Sequence, residues 1–315
     1  MSKPLTRKID LASSQTNEGA TFAPPAYPAG APEGASSLNL EGRVAIVTGA
    51  SRGLGRRIAQ TFGRSGARVV VVGRNGAKLD DTAHTIIKAG GKALPLVCDV
   101  SDANAVAETF HQISATFGAV DLLVNNAGET GPIDHAWQVD SADWWKTFET
   151  NLLGAFLCTH AVLPHMVERR EGIVVNIASN AGVFRWPTCS AYAVSKSALI
   201  KLTENLAAET VRHGLSIFAF HPGLLPIGLT EVEDPSAVDP ASPKGKVVSW
   251  FQEQLESGKV VDVQQSLDMI AKLVSDRYRA LSGCYIAPDD DLEVMKNRVR
   301  GMGRHSDLYR LRLAR

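Results

Sequence analysis

Val44-Ala45-Ile46-Val47-Thr48-Gly49-Ala50-Ser51-Arg52-Gly53-Leu54-Gly55 is the stretch from which the rest of the chain can be read. Its first four residues are apolar without alternation, the mark of a strand covered on both faces, as in a parallel sheet. Three glycines follow at G-x-x-x-G-x-G spacing. They permit a tight turn and a close approach of backbone to a pyrophosphate. The turn then opens a helix whose N-terminus offers free N–H groups and the positive end of its dipole. It is not a P-loop, because no G-K-[ST] follows. A glycine turn alone is a weak signal. Its place between a first strand and a first helix makes Gly49, Ser51, Arg52, Gly53, Leu54 and Gly55 candidates for holding a dinucleotide.

The same pattern recurs downstream. Apolar runs at 68–72, 93–97, 120–124, 173–177, 215–220 and 284–286 predict six further strands. Between them lie helical stretches, such as Val106, Phe110, Ile113 and Phe117 with the spacing of an amphipathic helix. Strand–helix alternation predicts an α/β fold, a single doubly wound parallel-sheet Rossmann domain of about seven strands with helices on both faces. This domain is expected over residues 40–290. Residues 224–246, rich in Pro, Asp and Glu, read as a long loop of the kind that serves as a lid.

The ends read differently. Residues 1–39 hold five of the 15 prolines and are expected to be a disordered tail. They lack the apolar core of a secretory signal, and Asp10 and Glu18 argue against a transit peptide. Residues 291–315 are expected to be a basic C-terminal extension, with seven Lys and Arg against one acid from Lys296 onward. Leu292, Met295, Val299 and Met302 are spaced for a short docking helix.

Composition narrows the function classes. Lys+Arg and Asp+Glu both total 33 in 315 residues, so no basic surplus points to nucleic acid. No stretch of 18 apolar residues predicts a membrane span. Cys98, Cys158, Cys189 and Cys284 show no C-x-x-C, which argues against a metal site or disulfide framework and fits a reducing, cytoplasmic location.

Further motifs fall at the ends of the predicted strands. Asp99-Val100 follows the third, Asn125-Asn126-Ala127-Gly128 closes the fourth, and Asn151-Leu152-Leu153-Gly154 lies in the next helix. Ser179 ends the fifth strand, with Tyr192 and Lys196 beyond it at Y-x-x-x-K spacing. Together with the glycine turn, and over roughly Leu40 to Pro288, these motifs make the chain resemble the short-chain dehydrogenase/reductase family.

Tyr192 and Lys196, four apart, share one face of a helix. A free tyrosine has a pKa near ~10, and bringing it to neutrality takes about 4 kcal/mol of differential stabilisation. The resemblance implies the following roles. Ser179 polarises a substrate carbonyl and Tyr192 exchanges the proton with its oxygen. Lys196 lowers the Tyr192 pKa and bonds the nicotinamide ribose, and Asn151 holds a proton-relaying water. Asn126, Ala127, Gly128, Pro222, Gly223 and Leu225 also border the cofactor.

At the end of the second strand, Gly73 stands where family members that take NAD often have an acid. Arg74, Asn75 and Arg52 lie nearby, and the two arginines are placed to clamp a 2′-phosphate. The expected cofactor is NADP(H), with NAD(H) as the alternative. One departure stands out: Ile227 occupies a position where the family often has Thr bonding the nicotinamide carboxamide, and Thr230 is the nearest substitute.

Phe184, Trp186, Pro187 and Cys189 suggest an apolar pocket; Trp137, Trp144 and Trp145 belong to that pocket, to the core or to a subunit interface. His135, His165 and His221 read as structural or surface residues. The resulting expectation is an NADP(H)-dependent carbonyl reductase or secondary-alcohol dehydrogenase acting on a small molecule. It is expected to be a homo-oligomer, dimer or tetramer, although the chain lacks the Gly-rich ending of many tetrameric members. The alternatives are a lyase or epimerase on the same fold and a nucleotide-sensing regulator.

Overall fold

The computed structural model describes residues 38–231, 237–302 and 307–312. Of the expected N-terminal tail, all but Leu38 and Asn39 lies outside the described residues. Seven strands form one sheet: β1 (Val44–Thr48), β2 (Arg68–Gly73), β3 (Lys92–Val97), β4 (Leu122–Asn125), β5 (Ile173–Ile177), β6 (Ser216–Phe220) and β7 (Tyr285–Ile286). Their order is β3-β2-β1-β4-β5-β6-β7, and every pairing is parallel. The fourth run is shifted from its expected bounds: Val120 is buried ahead of the strand, which continues instead to Asn125. Pro95 lies in β3, an edge strand, where its missing N–H costs no central ladder bond.

The unbroken apolar runs are explained by two covered faces. On one face Ala45, Val47, Val69 and Val71 pack with α1 (Gly53–Arg64), α2 (Gly76–Lys88) and α8 (Val263–Leu273). On the other, Val44, Ile46, Val70 and Val72 pack with α3 (Ala103–Phe117), α5 (Gly154–Arg169) and α6 (Ser190–Thr210). Neighbouring residues on a strand point to opposite faces, so both must be apolar.

Two expectations need correction. The loop read over 224–246 ends at Ser242, whose hydroxyl accepts from Gly245 N–H at 3.0 Å and caps α7 (Pro243–Glu256), with proline in the first turn. The C-terminal stripe begins as expected, with Leu292 and Met295 of α9 (Leu292–Met302) in the main core, but Met302 is 62% exposed and plays no part in docking. Nor is the basic run simply solvated. Lys296 is buried against Glu293 and the Tyr278 ring, and Arg312 pairs with Glu204 of α6. A short α4 (Ser141–Phe148) precedes a π-helical turn, Glu149–Leu153, that leads into α5. No helix among the described residues is long and apolar enough to cross a membrane.

Candidate functional site

Parallel strands bring all their C-terminal ends to one edge of the sheet, and a cleft of about 1050 Å³ runs along that edge. From the end of β3 to the end of β5 is four strand steps, or about 19 Å at ~4.8 Å per step. Asp99 and Ser179, which follow those two strands, both line the cleft. The predicted residues are therefore strung along it. Gly49, Ser51, Arg52, Gly53 and Leu54 follow β1, Arg74 and Asn75 follow β2, and Asp99 and Val100 follow β3. Asn126, Ala127 and Gly128 follow β4, Ser179 follows β5, and Pro222, Gly223 and Leu225 follow β6. Tyr192 and Lys196 enter from α6. Gly55 and Asn151 lie behind the wall and are not part of the lining.

All three glycines of the turn are required by their neighbours: a Cβ on Gly55 would run into the Gly49 O. Gly49 has φ +64°, and a Cβ there would lie 2.8 Å from the Ala127 Cα. Gly53 has φ +53°, and a Cβ would lie 2.8 Å from the Gly228 Cα. The turn is thus wedged between the loops after β4 and β6. Asn126 ties these loops further, its amide donating to Thr48 O (2.9 Å) and Gly49 O (3.2 Å). At the head of α1, Arg52 occupies the capping position without a side-chain cap, so the first-turn N–H groups face the cleft end of the helix uncapped by any side chain. That cradle fits a pyrophosphate.

At the β2–β3 end, Arg74 is exposed at the rim. Burial works to raise the Asp99 carboxyl, but the Ser101 hydroxyl and amide, with Arg74 and Lys146 behind them, hold it below the usual range. Asn75 caps α2, accepting from Lys78 N–H at 3.0 Å. Lys78 itself lines the cleft and was missed in the sequence reading; its place in the first turn of a helix opening onto the site was the available signal. Arg52 points elsewhere. Its guanidinium donates to Gly228 O at 3.2 Å and faces Glu231 at 3.9 Å, bridging the glycine turn to the loop after β6.

At the β5–β6 end, Ser179 accepts from Ala181 N–H at 3.2 Å and hydrogen-bonds the Tyr192 hydroxyl. Burial raises the Tyr192 phenol, and the Ser179 bond only partly opposes it. Lys196 is buried, its ammonium donating to Ile177 O at 2.8 Å and lying 5.7 Å from the Tyr192 ring centroid. Burial pulls its pKa down to about 8. With the protein groups alone, the expected depression of the Tyr192 pKa is therefore not found; burial outweighs the Ser179 bond. Asn151, in the π-helical turn, exchanges amide bonds with the Glu129 backbone (2.8 and 2.9 Å) and donates to Ser195 at 3.0 Å. Its side chain is thereby fixed.

Ile227 lines the cleft as expected, and the Thr230 hydroxyl is turned inward, donating to Leu225 O at 2.5 Å. His221, at the end of β6, is buried in the cleft wall, and burial pulls its pKa down to about 3. Its Nδ1 accepts from the Asn180 N–H at 3.3 Å, and its ring stacks on Tyr285.

The apolar end of the cleft includes Phe184, Trp186 and Pro187 as expected, while Cys189 is a buried filler whose thiol burial pushes up to about 11. Trp137, Trp144 and Trp145 lie outside it. Trp137 is 79% exposed, and Trp144 and Trp145 stack around Phe148. Trp250 and Phe251 of α7 take their place, meeting Trp186 edge-on at 6.1 and 6.2 Å. The sequence reading missed both; the signal was a Trp-Phe pair directly after the presumed lid. No group of His, Cys, Asp and Glu among the described residues could hold a metal ion.

A family profile described as short chain dehydrogenase matches residues 43–236. A short chain dehydrogenase of Pseudocercospora fijiensis is 35% identical over 286 residues, 90% of this chain and 91% of that protein. Among solved structures, an actinorhodin polyketide ketoreductase variant with NADPH gives a TM-score of 0.70 at 29% identity, covering 80% of this chain and 97% of that one. An NAD+-bound xylitol dehydrogenase gives 0.69 at 28% identity, covering 78% and 97%.

Proposed function

The chain belongs to the short chain dehydrogenase family, oxidoreductases that act on CH–OH groups with a nicotinamide cofactor, and from that premise we propose that it transfers hydride between NADP(H) and an apolar ketone or its secondary alcohol, with Tyr192 as general acid/base. The observation that carries this reading is the meeting of the Ser179 hydroxyl, Tyr192 phenol and Lys196 ammonium on one cleft wall, at the far end from the glycine turn and Arg74.

A bound nicotinamide dinucleotide supplies the hydride; everything else falls to the chain. The glycine turn and the head of α1 would hold its pyrophosphate, and Arg74 with Lys78 would meet its 2′-phosphate. Burial keeps Tyr192 protonated at neutral pH, the form needed to give a proton to a carbonyl oxygen. Ser179, its rotamer set by the Ala181 N–H, donates its own proton to the same oxygen. Lys196, with a pKa of about 8, is mostly charged at neutral pH and stabilises the phenolate that remains. Asn151 acts as a positioning residue, pinning the Gly128–Glu129 backbone and Ser195 beside the catalytic groups.

The test is NADPH oxidation, followed at the nicotinamide absorbance, against a panel of ketones. Tyr192→Phe keeps the ring and removes the proton. Turnover should fall at least about a hundredfold, while NADPH binding, read by fluorescence, stays within a few-fold. Full activity in the variant, or no net NADPH consumption with any ketone, would overturn the reading and favour lyase, epimerase or sensor chemistry.

A further inference from the structure

The charges along the cleft are unevenly spread. Arg52, Arg74 and Lys78 stand with Asp99 at the ends of the first three strands, and Lys196 is buried beside Tyr192. Among the described residues, Arg185 is the one remaining charged residue of the lining, and it lies at the substrate end. It is exposed, between Phe184 and Trp186, and forms no ion pair among the described residues. Among the described residues, no carboxylate lines that end of the cleft.

The loop that carries Arg185 is held at both ends. Val183 and Phe184 N–H groups donate to Asn180 O at 2.9 Å, and Thr188 O accepts from Asp134 N–H at 2.9 Å. The arginine therefore projects from a fixed root. The wall beside it is aromatic: Trp186 meets Tyr192, Trp250 and Phe251 edge-on, with centroids 6.1–6.2 Å apart. Such a wall favours a flat ring, and a guanidinium at its rim favours a carboxylate through paired N–H donors.

Resting on the reading of this cleft as a ketone-reducing site, we propose that its substrate is an aryl keto acid. The aromatic ring lies against Trp186 and Trp250, the ketone meets Ser179 and Tyr192, and the carboxylate pairs with Arg185. In this pose Arg185 meets the carboxylate rather than the reacting carbonyl, so its contribution is to binding, made equally in ground and transition states. It therefore lowers KM and leaves kcat nearly untouched. A rim ion pair is also screened by salt.

The experiment compares an aryl keto acid with its methyl ester, in wild type, Arg185→Gln and Arg185→Lys, with NADPH at low and high salt. Wild type should favour the acid. Arg185→Gln should lower the acid-to-ester ratio of kcat/KM roughly tenfold, through KM, as expected for one charge-assisted pair. Arg185→Lys should restore part of the ratio, and salt should narrow the ratio in wild type and Arg185→Lys but not in Arg185→Gln. An acid-to-ester ratio unchanged by Arg185→Gln overturns the proposal while the reductase reading stands. Binding is read separately, by quenching of tryptophan fluorescence with the keto acid. If no ketone consumes NADPH, the reductase reading fails and quenching decides the ligand. Weaker quenching in Arg185→Gln supports recognition of the keto acid by Arg185, and unchanged quenching overturns it.

Discussion

Gly73 closes β2 where a carboxylate would face the ribose of a bound dinucleotide, and nothing in the packing forbids one. A Cβ on Gly73 would meet Leu79 Cδ2 at 3.5 Å and Ser51 Oγ at 4.0 Å, both ordinary contacts. Space therefore does not account for the lack of an acid; on the proposed reading, charge does. On that reading a 2′-phosphate would bring up to two negative charges to this point, beside Arg74 and Lys78. Charge-assisted hydrogen bonds are worth about 1.5–3 kcal/mol, or roughly a ten- to hundredfold preference for NADPH in kcat/KM. Arg74→Ala should remove most of that preference by weakening NADPH alone. Gly73→Asp should shift the preference toward NADH, because the new carboxylate repels phosphate and accepts from ribose hydroxyls. Arg52→Ala should have a smaller effect, since that guanidinium is committed to Gly228 O. The measurement is the pair of kcat/KM values for both cofactors in each protein. Equal values in wild type, or an unchanged ratio in Arg74→Ala, would mean that the 2′-phosphate is not read here.

Between elements, the C-terminal segment closes the open edge of the sheet. The Tyr285 N–H of β7 donates to Tyr309 O at 2.8 Å, Leu311 packs on Ala178, Ile200 and Ala219, and Arg312 grips Glu204 with both guanidinium nitrogens. Tyr285 in turn donates from its hydroxyl to Asn180, next to Ser179, at 2.6 Å. The Arg312 bonds hold the Glu204 carboxyl down at about 2, so the clasp persists through ordinary acid pH. A half-exposed bidentate pair contributes up to about 1 kcal/mol, or ~2–4 °C in Tm. Arg312→Ala and Glu204→Gln should each cost that much, and the double variant less than their sum, measured by calorimetry. The remainder comes from the Asp307 pair that Arg312→Ala also loses and the Lys201 pair that Glu204→Gln also loses. Full additivity would mean that the two side chains do not act as a pair. This clasp was not legible in the sequence, because a basic stretch without apolar periodicity carries no signal of where it docks. The seven strands were legible, because a buried parallel strand must be apolar on both faces, as residues 44–47 are. Ser179, Tyr192 and Lys196 were legible as spacing, but the balance that leaves Tyr192 protonated depends on burial that no spacing encodes. Trp250 and Phe251 reach the cleft only through the path of α7. Asn125 and Asn176, register partners joined at 2.8 Å in a buried chain of amides and threonines, read only as polar residues ending apolar runs.

For the molecule as a whole, the buried ionisable groups decide how stability follows pH. The free thiols contribute nothing near neutrality, since burial raises every one of them above its ordinary value. Lys196 acts in alkali: its pKa falls from 10.5 to about 8, so between those values the unfolded chain holds a proton the folded one has lost. The Lys196 contribution to stability therefore rises with pH, against the opposite contributions of the raised thiols and Tyr192. The carboxyls of Asp99, Glu204 and Asp276 are held low, and their contribution is lost only as pH falls below the ordinary carboxylate range. His221 governs the interval between. Burial takes it from 6.5 to about 3, so below pH 6.5 the unfolded chain gains a proton that the folded chain refuses. Stability should then fall by about 1.4 kcal/mol per pH unit, or about 2.5 kcal/mol from pH 6.5 to 4.5. His221→Asn removes the titrating ring while its side-chain oxygen can still accept from the Asn180 N–H. The variant loses the stacking on Tyr285 and is less stable at every pH, which shifts the baseline but not the slope. Urea unfolding at several pH values between 4.5 and 6.5 reads the slope directly. A flat profile in His221→Asn against a falling one in wild type is the expected result. Equal slopes would mean that the ring takes up its proton in the folded state, and the account of a neutral His221 wedged between Asn180 and Tyr285 would fail.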